Sequence, residues 1–320
     1  MRTKKLRFNP IEASVRREAS SYGFKKVLVA LSGGADSIAT IYAIKKCGFD
    51  IIALHCNFHL RAEESDRDME FVKEFCNKEN IKLEIIEFDV PAYRKIKKGC
   101  STEMACRNLR HEWFRKILYE TGYDRIATGH NADDNIETFF LNLLRGSGSR
   151  GLKGMTADTG TIWRPLLSFH KNDIKDYLKE NNLPYVTDST NLECDYRRNF
   201  LRNKIIPLFK QEWKGFDTAM DKSLKNLFAE NNLIENVLQK MLPSPLEPLS
   251  DDIILDSPAP LLMIKRFIDP LDPFSSTAEE ILSAIKAKKP HIRRWKLKKG
   301  VAFLRNGNLF IEMGHCESGS

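Results

Sequence analysis

The chain has 320 residues, with 51 Lys and Arg against 43 Asp and Glu and a formal net charge of +8. Its 42% apolar and 29% charged residues suit a globular protein and exclude a disordered chain. No run approaches the ~18 consecutive apolar residues a membrane span needs, and the basic N-terminus lacks the apolar stretch of a secretory signal. The seven cysteines are irregularly spaced and form no CxxC, which removes zinc ribbons and dithiol redox sites. A reduced, cytoplasmic protein without a membrane partner is expected. At about 150 residues per domain the length suggests two domains.

Taken in order, residues 27–31 form an apolar run of the kind a strand buried on both faces shows. A helix is expected over 37–47, a second strand over 51–54 and a helix over 65–80. A strand over 83–88, a helix over 102–120, a strand over 125–128 and a helix over 133–144 follow. Strands alternating with helices of this length predict an α/β fold: a doubly wound, Rossmann-like parallel sheet with helices on both faces. After a Gly- and Ser-rich loop at 145–154, helices are expected over 172–181 and 197–209. A long helix with one buried stripe runs from Trp213 through Met220, Leu227 and Ile234 to Met241. Five prolines between Pro243 and Pro260 mark an irregular connection. A helix over 278–286 precedes strands at 301–304 and 309–312, joined through Asn306-Gly307-Asn308. The expected division is a catalytic domain over 1–212 and a mainly helical region with a small C-terminal α+β part over 213–320.

Ser32-Gly33-Gly34-Ala35-Asp36-Ser37 lies between the first strand and the first helix, where a parallel sheet places its ligands. Two glycines allow close approach of an anion, two serines add hydroxyls, and the helix terminus adds partial positive charge. The Walker lysine and the GxGxxG pattern are both missing. An acidic side chain in such a loop would repel phosphate unless a divalent cation stood between them. Asp36 therefore points to Mg2+ bridging to ATP; a Gly-rich turn with Asp36 as a helix cap is the plainer alternative.

SGGxDS resembles the PP-loop of the ATP pyrophosphatases. Three further stretches narrow the resemblance: His55-Cys56-Asn57-Phe58-His59-Leu60-Arg61, then Thr128-Gly129-His130-Asn131-Ala132-Asp133-Asp134, and Arg198-Asn199-Phe200-Leu201-Arg202-Asn203. Arg164-Pro165-Leu166-Leu167 and Asp188-Ser189-Thr190-Asn191 lie between the last two. Over about 25–210 the chain resembles the tRNA(Ile)-lysidine synthetases, in a short form. That resemblance implies adenylation of the wobble cytidine of CAU-anticodon tRNA(Ile) by ATP, then displacement of AMP by free L-lysine. It implies Asp36, His130 and Asp134 as catalytic residues, with Arg107, Arg110 and Arg202 assisting, and Asp36 and Asp134 as metal ligands. Ser32, Gly33, Gly34, Ala35, Asp36, Ser37, His55 and Phe58 would bind the nucleotide. His130 is expected either to bind phosphate when protonated or to act as acid and base near neutral pH. The family often reads HxNHGLR where this chain has Phe58 and His59, so Phe58 is expected to offer adenine an aromatic face.

From Ile281 to Ile311 no acidic residue occurs, while Lys286, Lys288, Lys289, Arg293, Arg294, Lys296, Lys298, Lys299 and Arg305 do, with Trp295 and Phe303 among them. Phosphate contacts with tRNA are expected there, a solvated strand face being the alternative. A homodimer stays open. So do a PP-loop tRNA-thiolating enzyme, for which Cys100 and Cys106 would matter, and a non-catalytic ATP-binding module.

Overall fold

A computed structural model describes residues 9–60, 63–97, 99–186, 196–244, 247–272, 276–287 and 293–314. The contacts divide the chain into two units, Met1–Leu227 and Phe228–Ser320.

The first unit opens with α1 (Pro10–Tyr22), which no sequence pattern announced. Asn9 caps it by accepting from the Ile11 amide, Pro10 fits the first turn, and Ile11, Val15 and Ala19 are buried. Then come β1 (Lys26–Ala30), α2 (Ala35–Lys46), β2 (Asp50–Asn57), α3 (Glu63–Lys78), β3 (Lys82–Glu87), α4 (Val90–Ile96), α5 (Thr102–Thr121), β4 (Arg125–Ala127), α6 (Ala132–Leu144), α7 (Ser149–Leu152), β5 (Ile162–Trp163) and α8 (Lys171–Glu180). The five strands are parallel in the order β3-β2-β1-β4-β5. β1 is central: Val27 and Val29 belong to the core on one face and Leu28 to that on the other, as its unbroken apolar run requires. The strand order reverses between β1 and β4, the place where open parallel sheets hold ligands at the carboxyl ends of their strands.

After α8 the chain continues through α9 (Tyr196–Phe200), a π-helical turn at Leu201–Ile205, α10 (Ile206–Glu212) and α11 (Phe216–Met241). The helix expected over 197–209 is thus three pieces, the middle one widened. Such widenings in helices often mark functional sites. The unit boundary falls at 227/228, inside α11, rather than at 212/213. The first turns of α11 account for this, because Phe216, Met220 and Leu224 pack with Ile136, Phe139, Phe140 and Ile206.

In the second unit, β6 (Leu249–Ser250), α12 (Asp251–Asp256), α13 (Pro260–Ile268), α14 (Thr277–Lys286), β7 (Arg293–Leu297), β8 (Gly300–Arg305) and β9 (Asn308–Met313) follow. An antiparallel sheet of order β6-β9-β8-β7 forms. Leu238, Met263, Phe267, Ile281, Leu297, Ala302 and Leu309 make the core between one sheet face and the helices. Asn306 and Gly307 both adopt positive φ, 50° and 70°, as a tight two-residue hairpin turn requires. Among the described residues no helix is long and apolar enough to cross a membrane.

Candidate active site

The loop after β1 is built as its residues suggest. Gly33 has φ of 89°, a conformation that favours glycine, and its carbonyl accepts from the Val186 amide at 2.9 Å. The Ser37 hydroxyl donates to the Gly34 carbonyl at 2.9 Å and accepts from the Ser32 amide at 3.2 Å, which folds the loop onto the start of α2. Gly34 caps α2 without a side-chain acceptor, so the helix presents amides to whatever anion lies in front of it. Ala35 begins that helix. His55 is buried and its Nδ1 lies 2.8 Å from the Leu31 carbonyl. It ties β2 to the end of β1, just before the loop.

The loop after β4 meets this one. A Cβ placed on Gly129 would lie 2.9 Å from the backbone carbonyl carbon of Asp36, so only glycine permits the approach. Asn131 and Asp134 then cap α6 reciprocally: the Asp134 amide donates to Asn131 Oδ1 at 3.0 Å and the Asn131 amide donates to Asp134 Oδ2 at 3.2 Å. The helix-start alternative for Asp134 is therefore real, but it uses one carboxylate oxygen. The other accepts from Arg202 at 3.1 Å.

Burial, followed by the nearby Asp134 carboxylate, pushes the Asp36 carboxyl up to about 6. Burial and then Glu137 raise Asp134 as well. The Asn131 amide favours ionised Asp36, yet its buried nitrogen meets no acceptor at hydrogen-bonding distance. Two desolvated carboxylates that destabilise each other form a donor set suited to a hard divalent cation. Asp36 and Asp134 fit Mg2+ on that ground.

Around His130 the sign reverses. Burial, followed by Arg164, Arg198, Arg107 and Arg110, pushes its imidazole down to about 4, and its Nδ1 lies 2.8 Å from the Thr128 hydroxyl. His130 is therefore neutral near pH 7, against the expectation of a protonated phosphate ligand; four guanidiniums already supply the positive charge. Arg107 and Arg110 project from α5 and are exposed. Arg110 lies over the Phe58 ring at 5.5 Å, and that ring also stacks on Phe88 at 5.3 Å. Phe58 thus lies between Phe88 and Arg110, and its ring stays half-buried.

Sequence reasoning assigned no role to Arg164, Glu137 or Arg198. Arg164 follows β5, a strand of two residues, too short to show a period. Its Nη1 donates to the Thr156 carbonyl at 2.7 Å while its Nε is buried without a partner. Glu137 is buried and accepts from Arg202 at 2.6 and 2.8 Å and from Arg198 at 2.8 Å. Its position one turn after Asp134 was the available signal. Arg202 sits in the π-helical turn and reaches two carboxylates of α6, Asp134 and Glu137.

Among the described cysteines, Cys47, Cys56, Cys76, Cys100 and Cys106 form no disulfide. Burial pushes the Cys56 thiol up to about 12 and Cys76 up to about 11, the opposite of an activated nucleophile. Asp133, His170 and Asp217 bring ligand atoms within 4.8 Å of one another. Lys210, however, stands 2.9 Å from Asp133 and 3.0 Å from Asp217, so a cation already fills the gap. His170, at the start of α8, also lies 3.1 Å from Asp221 on α11, and hydrogen bonding to Asp133 leads the causes that raise it to about 9. Since that value lies above the ordinary 6.5, its stabilising effect is full below about pH 6.5 and fades as pH rises through 9. His170→Gln is expected to lower the unfolding temperature by roughly 5 °C at pH 6 and hardly at all at pH 10, read by calorimetry. An equal loss at both pH values would assign His170 a packing role alone.

The sequence motif at 188–191, Arg61, Lys288 and Lys289 lie outside the described residues.

Among proteins of known function, the tRNA(Ile)-lysidine synthase of Bacteroides thetaiotaomicron is 38% identical over 262 residues, 81% of this chain and 61% of that protein. The tRNA(Ile)-lysidine synthase of Porphyromonas gingivalis strain W83 is 41% identical over 221 residues, 68% of this chain and 48% of that protein. The chain thus spans about half to three fifths of the length of these relatives. Of solved structures, the U34-tRNA thiolase NcsA from Methanococcus maripaludis, with its [4Fe-4S] cluster, superposes with a TM-score of 0.56 at 19% identity, over 68% of this chain and 78% of that one. That likeness supports the parallel-sheet fold. Residues 8–209 match the family described as a PP-loop domain, a stretch that holds β1 to β5, the Asp36–Asp134 pair and the arginines around His130, and the chain belongs to that family.

Proposed function

We propose that the chain is an ATP-dependent tRNA-lysidine synthetase, joining free L-lysine to C2 of the wobble cytidine of CAU-anticodon tRNA(Ile). The observation that carries this reading is the meeting of two desolvated carboxylates, Asp36 and Asp134, with an arginine-ringed neutral His130 at the β1/β4 crevice. The names of the relatives supply the substrate.

In the first step the C2 carbonyl oxygen of cytidine bonds to the α-phosphorus of ATP and pyrophosphate leaves. The amides at the start of α2 and the guanidiniums of Arg107, Arg110 and Arg164 face the negative charge of the phosphates. Neutral His130 contributes an N–H or a lone pair without adding charge. Asp36 and Asp134 would hold Mg2+, which when bound neutralises phosphate charge and orients the chain of phosphates. In the second step the lysine ε-nitrogen bonds to C2, the C2–O bond breaks, and AMP departs with that oxygen. The ammonium group, of ordinary pKa about 10.4, must first lose a proton. Burial raises the proton affinity of both Asp36 and Asp134, so the pair offers a carboxylate oxygen for that proton.

The test is incorporation of labelled lysine into CAU-anticodon tRNA(Ile) with ATP and Mg2+, beside a C34→U transcript. Label in the first tRNA alone is the expected result. Pyrophosphate release without lysine incorporation would overturn the choice of nucleophile and keep the adenylation step.

A further inference from the structure

The Gly- and Ser-rich loop at 145–154 returns along α6 and is fastened to it by two asparagines about two turns apart. Asn142 Nδ2 donates to the Gly151 carbonyl at 2.8 Å, and Asn135 Oδ1 accepts from the Met155 amide at 2.7 Å. Gly154 lies in the left-handed region at φ of 74°, and a Cβ there would collide with Asn135 Oδ1. Only glycine lets the chain come this close to α6. Just beyond it, the chain takes hold of Arg164. The Arg164 amide donates to the Ala157 carbonyl at 2.8 Å, and Arg164 Nη1 donates to the Thr156 carbonyl at 2.7 Å.

A staple that only folds a loop would account for Asn135 taken alone. It leaves the state of Arg164 unexplained. Burial, followed by Arg107, brings this guanidinium below its ordinary pKa, and its Nε is buried without an acceptor. Among the described residues the Thr156 carbonyl is the one acceptor for the side chain, and no carboxylate pairs with it. Arg198 and Arg202 differ, since Glu137 pairs with both. A carbonyl orients a guanidinium without cancelling its charge, so the charge stays available to an anion. That orientation is only as good as the placement of Thr156, one residue beyond the amide that Asn135 holds.

We propose that Asn135 is a positioning residue for the nucleotide: by holding Met155 it fixes the Thr156 carbonyl, which presents the uncompensated Arg164 guanidinium to a phosphate of ATP. This role rests on the reading of the site as an ATP site and is independent of the nucleophile that follows. Asn135 comes directly after Asp134, so the first turn of α6 carries both an acidic group of the site and the hold on Arg164. The Gly-Ser loop, to which the sequence attached no role, supplies the turn that joins them.

Equilibrium binding of fluorescent N-methylanthraniloyl-ATP with Mg2+ tests this on the full chain. Arg164→Gln is expected to weaken binding about tenfold, the share of one charge-assisted hydrogen bond, and Asn135→Ala about fivefold. The double variant is expected to bind no more weakly than Arg164→Gln, because Asn135 acts through Arg164. Unchanged binding by either single variant overturns the proposal. Losses that multiply in the double variant overturn it too, since a staple acting apart from Arg164 produces them. Should Asn135→Ala unfold by circular dichroism, Gly154→Ala decides, because its Cβ pushes the chain off Asn135 and leaves α6 unaltered. A loss that disappears in the Arg164→Gln background supports the proposal, and no loss or a multiplying one overturns it. A wild-type chain that does not bind the analogue removes the ATP reading and this role together. Lysine incorporation by the wild-type chain is scored separately. Its absence beside a coupled loss of ATP binding removes lysidine synthesis alone, whereas its presence beside uncoupled losses removes the role of Asn135 alone.

Discussion

Asp36→Asn is expected to slow pyrophosphate release from ATP by about 10²–10³-fold, the several kcal/mol that a metal-held charge contributes to such a displacement. Its melting temperature is expected to stay level or rise. The wild-type carboxylate is desolvated beside Asp134, and an uncharged amide of the same shape removes that repulsion. Opposite movements of activity and stability are what a residue kept for function rather than for folding produces. The pair of measurements separates this from simple damage: a rate within tenfold of wild type would remove Asp36 from the metal site. A slow variant that also melts early would point to a structural role.

Glu137→Ala is expected to do the reverse, with its first effect on stability. The carboxylate is buried and takes three hydrogen bonds from Arg198 and Arg202. Both guanidiniums bring Glu137 below the ordinary carboxylate range despite the burial that opposes them. Removing the acceptor takes three hydrogen bonds from two partly buried cations and leaves Asp134 to face both, and breaking such a buried pair costs up to about 3–5 kcal/mol. Urea unfolding reads this directly from the midpoint at constant slope. A loss under about 1 kcal/mol would mean that Arg198 and Arg202 turn to water without penalty, and that Arg202 is not held against Asp134 by its neighbour.

The architecture of the first unit was legible because it rests on patterns that burial writes into a chain. The β1 run is apolar at every position since both faces are covered, and the loop after it carries glycine where a positive φ occurs. Elements set by other causes left weaker marks. β5 is two residues long, α1 is defined by an Asn cap and a proline rather than by a strong apolar stripe, and β7 is mostly charged because its outer face is open. The site divided in the same way. Asp36, His130, Asp134 and Arg202 come together as the motifs imply. The protonation state of His130 was not legible, since it depends on Arg164 and Arg198 arriving from distant segments. The surroundings of Phe58 were not legible for a related reason: its neighbours, Phe88 and Arg110, come from other elements of the fold.

The 2.9 Å approach that Gly129 allows toward Asp36 bears on when the site is formed. Main chain presses on main chain there, and the α6 cap fixes Asp134 within the same stretch. The spacing of the two acidic groups is therefore set as the sheet closes, and no side-chain rearrangement has to bring them together later. The energetic penalty of crowding two negative charges falls on the folding equilibrium. In the proposed metal-binding role, an arriving cation would meet a geometry already in place, so its attraction to both groups would go into binding rather than into assembling the site.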